Sequence, residues 1–551
     1  MKKRLLVVIS LIVILGIFLS ACGGSSKTTS GTKGGQTGSS NNVKGPANND
    51  LTVDINDDYS HLDPALCYDI GCYEVVPQFY TRLIKYGSKS TKLVSDGADS
   101  WNISSDGKTY TFKIKQNIKF TNGDPLTAQN FIDEFKRILT PSIASPASGF
   151  INPLIVGSAD FAKGKAKDIS GITAPDKYTL QIQLTKPQGT FLDILSMPFF
   201  SAIDQSYVSS IGDKAFDHKP MGSGAFKMDS YEIGKQMVIS KNSNYFVSGT
   251  PKLDKITFNV EKNQQTSALK FKQGQTAFIG WNTSLTSTDF VQMMNDPKYK
   301  NSFISQTLVS TEYLALNNRV KPFNNVKVRQ AVNYAIDKAK IAKLLNGRVK
   351  ATDQILPPQM PGYNKNLPAD LKYSYDPAKA KALLKEAGYP NGFKTTIVTS
   401  TSDDMTKETQ SVQSDLKAVG IDAQIRTLSS ASYLAAAASL KYGIVDTAWF
   451  QDYPDPADFL DVLLNGNEIP ANNWSAYDNK TVNQEFDKAI ALAPGQERWD
   501  TYQKIQNEVL ADAPWVPLYN PVKYVIAQPW IKGFYIHPVM QDPLDEMSIQ
   551  H

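Results

Sequence analysis

The run from Trp101 to Leu139 reads WNISSDGKTYTFKIKQNIKFTNGDPLTAQNFIDEFKRIL. Tyr110, Phe112 and Ile114 alternate with Thr111, Lys113 and Lys115. That is the period of a strand with one buried face. Asp106-Gly107 is a turn pair, so Trp101 to Phe120 is predicted as two strands around it. The pattern then changes to a helix from about Ala128 to Leu139. Thr127 can cap it, Leu126 can staple onto Phe131, and Pro141 stops it. Strands alternating with helices indicate an α/β protein.

Working outward, Val328, Ala331, Val332, Ala335, Ile336, Ala339 and Ala342 recur at helical spacing. They predict one helix over Val328 to Leu345, with Gly347 just past its end. A second helix starts at Asp376-Pro377, a cap followed by proline in the first turn, and stops at Gly388.

The first residues bear on compartment. Met1-Lys2-Lys3-Arg4 precedes an apolar run from Leu5 to Ala21, the layout of a secretory leader. Leu19-Ser20-Ala21-Cys22-Gly23 resembles the bacterial lipobox, which implies removal of residues 1–21 and acylation of Cys22, hence anchoring in membrane lipid. Several acyl chains on one residue hold durably, whereas one chain holds only marginally. Residues 22–50 carry Gly, Ser, Thr and Asn and little that could form a core. As a flexible coil they span roughly 30 Å, a leash between a cell-membrane anchor on the extracytoplasmic face and a folded body.

Composition narrows the function classes. The chain has 551 residues, with 41% apolar and 20% charged, ordinary for a globular protein. Its 58 basic residues fall to 55 without Lys2, Lys3 and Arg4, against 53 acidic. A balance of about +2 offers no concentrated basic face and gives no reason to expect a nucleic-acid partner. Only Cys67 and Cys72 remain after lipidation. A nearby pair outside the cytoplasm can close a disulfide, and no second Cys/His pair completes a metal site. Asp54, Asn56 and Asp58 lack the glycine and closing glutamate of a calcium loop. There is no His-Glu-x-x-His, no Gly-x-Ser-x-Gly and no Walker A loop. No cofactor, metal or enzymatic activity is expected.

Ordered segments then resemble one family, the peptide-binding proteins of ABC importers (the oligopeptide/dipeptide group, extracellular solute-binding family 5). Leu62-Asp63-Pro64-Ala65, Asp106-Gly107-Lys108-Thr109-Tyr110 and Ile118-Lys119-Phe120-Thr121-Asn122-Gly123-Asp124-Pro125 carry the likeness. Pro220-Met221-Gly222-Ser223-Gly224, Tyr334-Ala335-Ile336-Asp337, Tyr389-Pro390-Asn391-Gly392-Phe393 and Trp449-Phe450-Gln451-Asp452-Tyr453-Pro454 continue it. The resemblance implies a two-lobed, periplasmic-binding-protein-like (type II) fold with an interposed third subdomain. Lobe I would comprise 51–97, 221–310 and 520–551, the interposed part 98–220, and lobe II 311–519. Chain crossings near Ser310 and Tyr519 would form the hinge.

The resemblance also implies a function. A monomeric receptor closes its cleft on a peptide and delivers it to membrane permease subunits. In the family the aspartate of the Trp-x-x-Asp-Tyr stretch pairs with the ligand's α-ammonium, and here that residue is Asp452. Trp449 and Tyr453 share the stretch. Trp281 and Asn282 lie where the family places cleft residues, and Tyr519 lies at the second crossing. On residue type alone Asp452 also suits a turn beside Pro454, and Trp449 suits a core. Some relatives place arginines just before this stretch. Here stand Lys441 and Asp446, which leaves peptide length and C-terminal recognition open. An oligosaccharide, a metal chelate or a signalling peptide is the alternative ligand on the same fold, and a surface enzyme or chaperone the alternative class.

Overall fold

Three sheets and the chain segments joining them organise the protein in a computed structural model, which describes residues 45–551. The leader, Cys22 and nearly all of the leash lie outside the described residues. Among those described, no helix is long and apolar enough to cross a membrane.

The first sheet pairs Asp50–Ile55 in parallel with Lys255–Val260, then continues antiparallel through Gln236–Lys241 to Phe226–Glu232. Val53, Ile55, Ile239, Ile256 and Phe258 build its core with Val75, Val76 and Phe79 of the helix Ile70–Phe79. The second sheet is antiparallel, in the order Ala98–Ile103, Thr109–Ile114, Thr179–Gln183, Ile172–Asp176.

The opening stretch folds much as its pattern dictates. Gly107 adopts φ 69° in the turn, a conformation glycine reaches without steric cost. The helix runs Ala128–Leu139. At its start the Thr127 N–H donates to Asn130 Oδ1 at 2.8 Å, and Leu126 and Phe131 are buried in one cluster. One boundary differs, because the second strand ends at Ile114 rather than Phe120. There the Ile114 N–H turns to Tyr178 O and the Lys115 N–H to Gly97 O, which takes the chain out of the ladder.

The third sheet has eight strands. Ile421–Leu428, Phe393–Ser400 and Ile444–Phe450 are parallel, and Ser310–Leu316 joins antiparallel to the last of these. Its faces are both buried. Tyr313, Ala315, Val398 and Val445 pack on one side, and Leu314, Leu316, Ile397 and Ile444 on the other. Gly392 stands at the entry to Phe393–Ser400 with φ 72°, and a Cβ there would meet Gly420 O at 1.8 Å. Only glycine fits so close an approach.

The long strand Trp515–Ala527 has two sets of partners. Its first part pairs with Ser310–Leu316, and residues Val522 to Ala527 pair with Phe303–Thr307 and Phe278–Ile279. The change of partner falls at Tyr519 to Pro521, with a register shift at Glu312/Tyr313. The helix expected over Val328 to Leu345 is broken into Val326–Ala335 and Lys338–Leu344. Ile336 is extended, and Asp337 starts a new helix by accepting the Lys340 N–H at 2.9 Å. The Asp337 N–H itself donates to Asp415. A capping aspartate has outcompeted a continuous apolar stripe. The helix Pro377–Glu386 follows expectation, capped by Asp376, with Gly388 at φ 90° beyond its end.

Candidate functional site

The segment Trp449 to Pro456 leaves the strand Ile444–Phe450 and enters the helix Pro456–Leu464. Pro454 and Pro456 lack the N–H that would continue a ladder, and Asp455 caps the helix by accepting the Ala457 N–H. Asp458, in the first helical turn, reaches back. Its Oδ2 accepts the Asp452 N–H at 3.0 Å and the Trp449 indole N–H at 3.1 Å. The loop bearing Asp452 is therefore held by its own following helix.

Across from this loop lies the hexapeptide Cys67 to Cys72. The two cysteines are disulfide-bonded, with Cα atoms 5.5 Å apart. Asp69 caps the helix Ile70–Phe79 by accepting the Cys72 N–H at 3.0 Å. The closed loop presents Tyr68, 45% exposed, and Ile70, 41% exposed. Tyr68 leans on Phe199, ring centroids 5.8 Å apart, and donates its hydroxyl to Asp452 Oδ2 at 3.2 Å. Gln451 Nε2 makes a second link, donating to Pro538 O at 2.8 Å.

Between these elements is a cavity of about 240 Å³. Tyr68, Ile70, Tyr73, Trp449, Val539 and Met540 give it an apolar lining, and Asp452 stands in its wall with Asp69 and Gln451. Among the described lining residues there is no Lys, Arg or His, and no Ser or Cys nucleophile. Burial pushes the Asp452 carboxyl up to about 7. Asp458, fully buried, is pushed well above the usual carboxylate range by desolvation and then by Asp452. Its Oδ1 has no hydrogen-bond partner, nor has the buried Tyr73 hydroxyl. Desolvated carboxylates without a counter-charge are costly until a cation arrives, so the cavity suits an ammonium group with an apolar neighbour.

The expected site residues divide. Asp452 and Trp449 line this cavity. Tyr453 follows them but turns away, buried in the core of the second sheet. Asn282 is half-buried beside Gly71, one residue from the cavity wall, and its carbonyl accepts the Asn56 N–H. Trp281 is 4% exposed and packs between Phe258 and Phe278, at centroid distances of 5.4 and 5.8 Å. Tyr519 is also away from the cavity, its hydroxyl donated to the buried Glu408. Tyr68, Tyr73, Val539 and Met540 were not anticipated. The available signal was Tyr68, an aromatic residue within a Cys-bounded loop too short to bury it.

Comparison with known proteins gives a consistent answer. Residues 92–471 match a family model described as bacterial extracellular solute-binding proteins, family 5 middle. Heme-binding protein A of Haemophilus influenzae is 29% identical over 509 residues, covering 89% of this chain and 90% of that one. The dipeptide-binding protein DppE of Bacillus subtilis is 26% identical, covering 93% and 94%. Among solved structures, DppA from Helicobacter pylori in complex with the peptide STSA superposes with a TM-score of 0.75. It is 28% identical and covers 91% of this chain and 98% of its own. HbpA2 from Haemophilus parasuis, 24% identical, shares the fold at a TM-score of 0.80, with 91% and 100% covered.

Proposed function

The chain belongs to the bacterial extracellular solute-binding proteins of family 5, and on that premise we propose that it captures peptides bearing a free α-amine for an ABC importer. The observation that carries this reading is the cavity at Asp452, a half-buried carboxylate with a raised pKa and no basic side chain among the described wall residues. The α-ammonium pairs with Asp452, and the first side chain lies against Tyr68, Tyr73 and Trp449. Peptide main chain offers the same donors and acceptors whatever its side chains, so such a receptor gains affinity without reading sequence. The relatives' names differ in ligand, heme in one and dipeptide in another, so the names do not choose between ligands. The wall chemistry favours an amine.

The lobes in this reading are 51–97, 221–310 and 520–551 on one side and 311–519 on the other, with 98–220 interposed. Trp515–Ala527 and the segment around Ser310 act as the hinge, where a few dihedral changes close the cleft. The receptor works as a monomer, tethered through an acylated Cys22, and releases its ligand chemically unchanged. Calorimetry with a tetrapeptide and its N-acetylated form tests the ligand. Equal affinity for the two refutes the Asp452 role, and binding of neither refutes the peptide reading. Mass spectrometry of the mature N-terminus tests the anchor, since an unmodified or uncleaved Cys22 overturns it.

A further inference from the structure

Beside the amine loop, the interposed residues 98–220 meet the lobe formed by 311–519, and little holds the two together. Among the described residues no ion pair joins them, and one hydrogen bond does, from the Gly189 N–H to Ile490 O at 2.8 Å. A cavity of about 410 Å³ lies within the contact, with Leu154, Gln188 and Ile194 on one side and Ala457, Asp461 and Ile490 on the other. Interfaces that stay shut are packed as densely as a protein interior and carry about one hydrogen bond per 100–200 Å². A hollow contact with a single hydrogen bond is one that can part.

Two residues nevertheless fit it closely. Tyr453 belongs to the lobe, directly after Asp452, yet its ring is 4% exposed and buried in one cluster with Phe191, Ile194 and Phe199. Among the described residues it is the only member of that cluster from 311–519. Asp452 and Tyr453 thus diverge, one into the wall of the amine cavity and the other into the interposed subdomain.

Gly189 comes from the opposite side, just before the helix Phe191–Ser196. A Cβ there would stand 2.3 Å from Leu492 O and 2.3 Å from Arg498 Nη1. Neither atom can yield. The first is backbone. Arg498 is fully buried, with Nη1 donating to the carbonyls of Ala489, Ile490 and Leu492 and Nη2 to Asp455. Asp455 in turn caps the helix that holds the amine loop. The seat for Gly189 is therefore built onto the segment that carries Asp452.

We propose that Tyr453 and Gly189 form a closing latch. When Asp452 takes the peptide's ammonium, the Tyr453 ring enters the interposed subdomain and Gly189 seats on Ile490 and Leu492. Without ligand the contact parts and the ring returns to water, so the ligand selects the latched state. The interposed subdomain is then a working jaw of the receptor. This rests on the peptide reading and its hinge.

The test uses the full mature chain. Tetranitromethane nitrates exposed tyrosines, and peptide mapping locates them. Tyr453 should be nitrated in the ligand-free protein and protected by a free-amine tetrapeptide. Gly189→Ala adds a clash only across the contact, since the three atoms nearest its Cβ belong to Leu492 and Arg498 and its φ is outside the left-handed region. The variant should keep the ligand-free unfolding midpoint of wild type. It should bind the tetrapeptide at least about tenfold more weakly in calorimetry and lose the contraction that the peptide produces in small-angle scattering of the wild type. Tyr453 as protected without ligand as with it overturns the latch. So does a Gly189→Ala protein that is destabilised without ligand, or one that binds and contracts as wild type does. Failure of the wild type to bind the tetrapeptide refutes the peptide reading instead, and nitration of Tyr453 in the ligand-free protein then decides the latch alone.

Discussion

Replacing Asp452 by asparagine separates the cost of a buried charge from its use. The side chain keeps its shape and its acceptor for the Tyr68 hydroxyl and loses only the carboxylate. In the free protein burial moves this carboxyl from 3.8 to about 7. At about 1.4 kcal/mol per pH unit that gap sets a ceiling of roughly 4 kcal/mol. Asp452 is only half-buried, and solvent screening reduces the figure to about 1–2 kcal/mol. A raised carboxyl makes the ionised form the destabilising one. The penalty is absent below 3.8, grows as pH rises, and is complete above 7. The ligand-free variant should therefore be more stable than wild type by about 1–2 kcal/mol at pH 8 and indistinguishable from it below pH 4, by denaturant titration. Binding should move the opposite way. At pH 8 the variant should lose about 1.5–3 kcal/mol toward a free-amine tetrapeptide, roughly 10- to 150-fold in affinity, and almost nothing toward the N-acetylated peptide. Wild-type affinity for the free amine should fall up to about tenfold per pH unit below 7, because binding must expel a proton. A variant that gains no stability at pH 8 and binds both peptides as wild type does would refute the reasoning.

Other perturbations test the frame around the cavity. Serine at both Cys67 and Cys72 opens a six-residue loop and should cost roughly 2 kcal/mol of stability by loop entropy, with weaker peptide binding in calorimetry as Tyr68 loses its support. Asp455→Ala leaves Arg498, 0% exposed, without its carboxylate partner at 2.8 Å and should destabilise by about 3–5 kcal/mol in denaturant unfolding. Gly392→Ala places a Cβ against Gly420 O at φ 72°. It should cost at least about 2 kcal/mol, read as a lowered unfolding midpoint with peptide stoichiometry unchanged in the folded fraction.

Sequence patterns carried the local elements well where one signal dominated. Alternation at Tyr110 to Ile114 and the cap at Thr127 placed a strand and a helix because backbone period and core face agree there. They failed where two local signals compete, as at Asp337, whose carboxylate captures a helix start inside an apolar stripe. The site was legible only in part. Asp452 and Trp449 sit in a motif that brings both to one wall. Trp281 was expected at the cleft only from its place in the family pattern, and its ring area is used between Phe258 and Phe278, which nothing in its neighbours along the chain announces. The opposite wall, Tyr68 and Tyr73 with Val539 and Met540, joins residues more than 450 positions apart.

The position of Trp515–Ala527 has a consequence in time. This strand lies in the interior of the largest sheet and pairs with Ser310–Leu316, Phe303–Thr307, Val349–Ala351 and Phe278–Ile279. It is also almost the last part of the chain to be made. A chain that emerges N-terminus first cannot complete that sheet until some 500 residues have been made. Completion of the largest sheet thus waits on a segment close to the C-terminus.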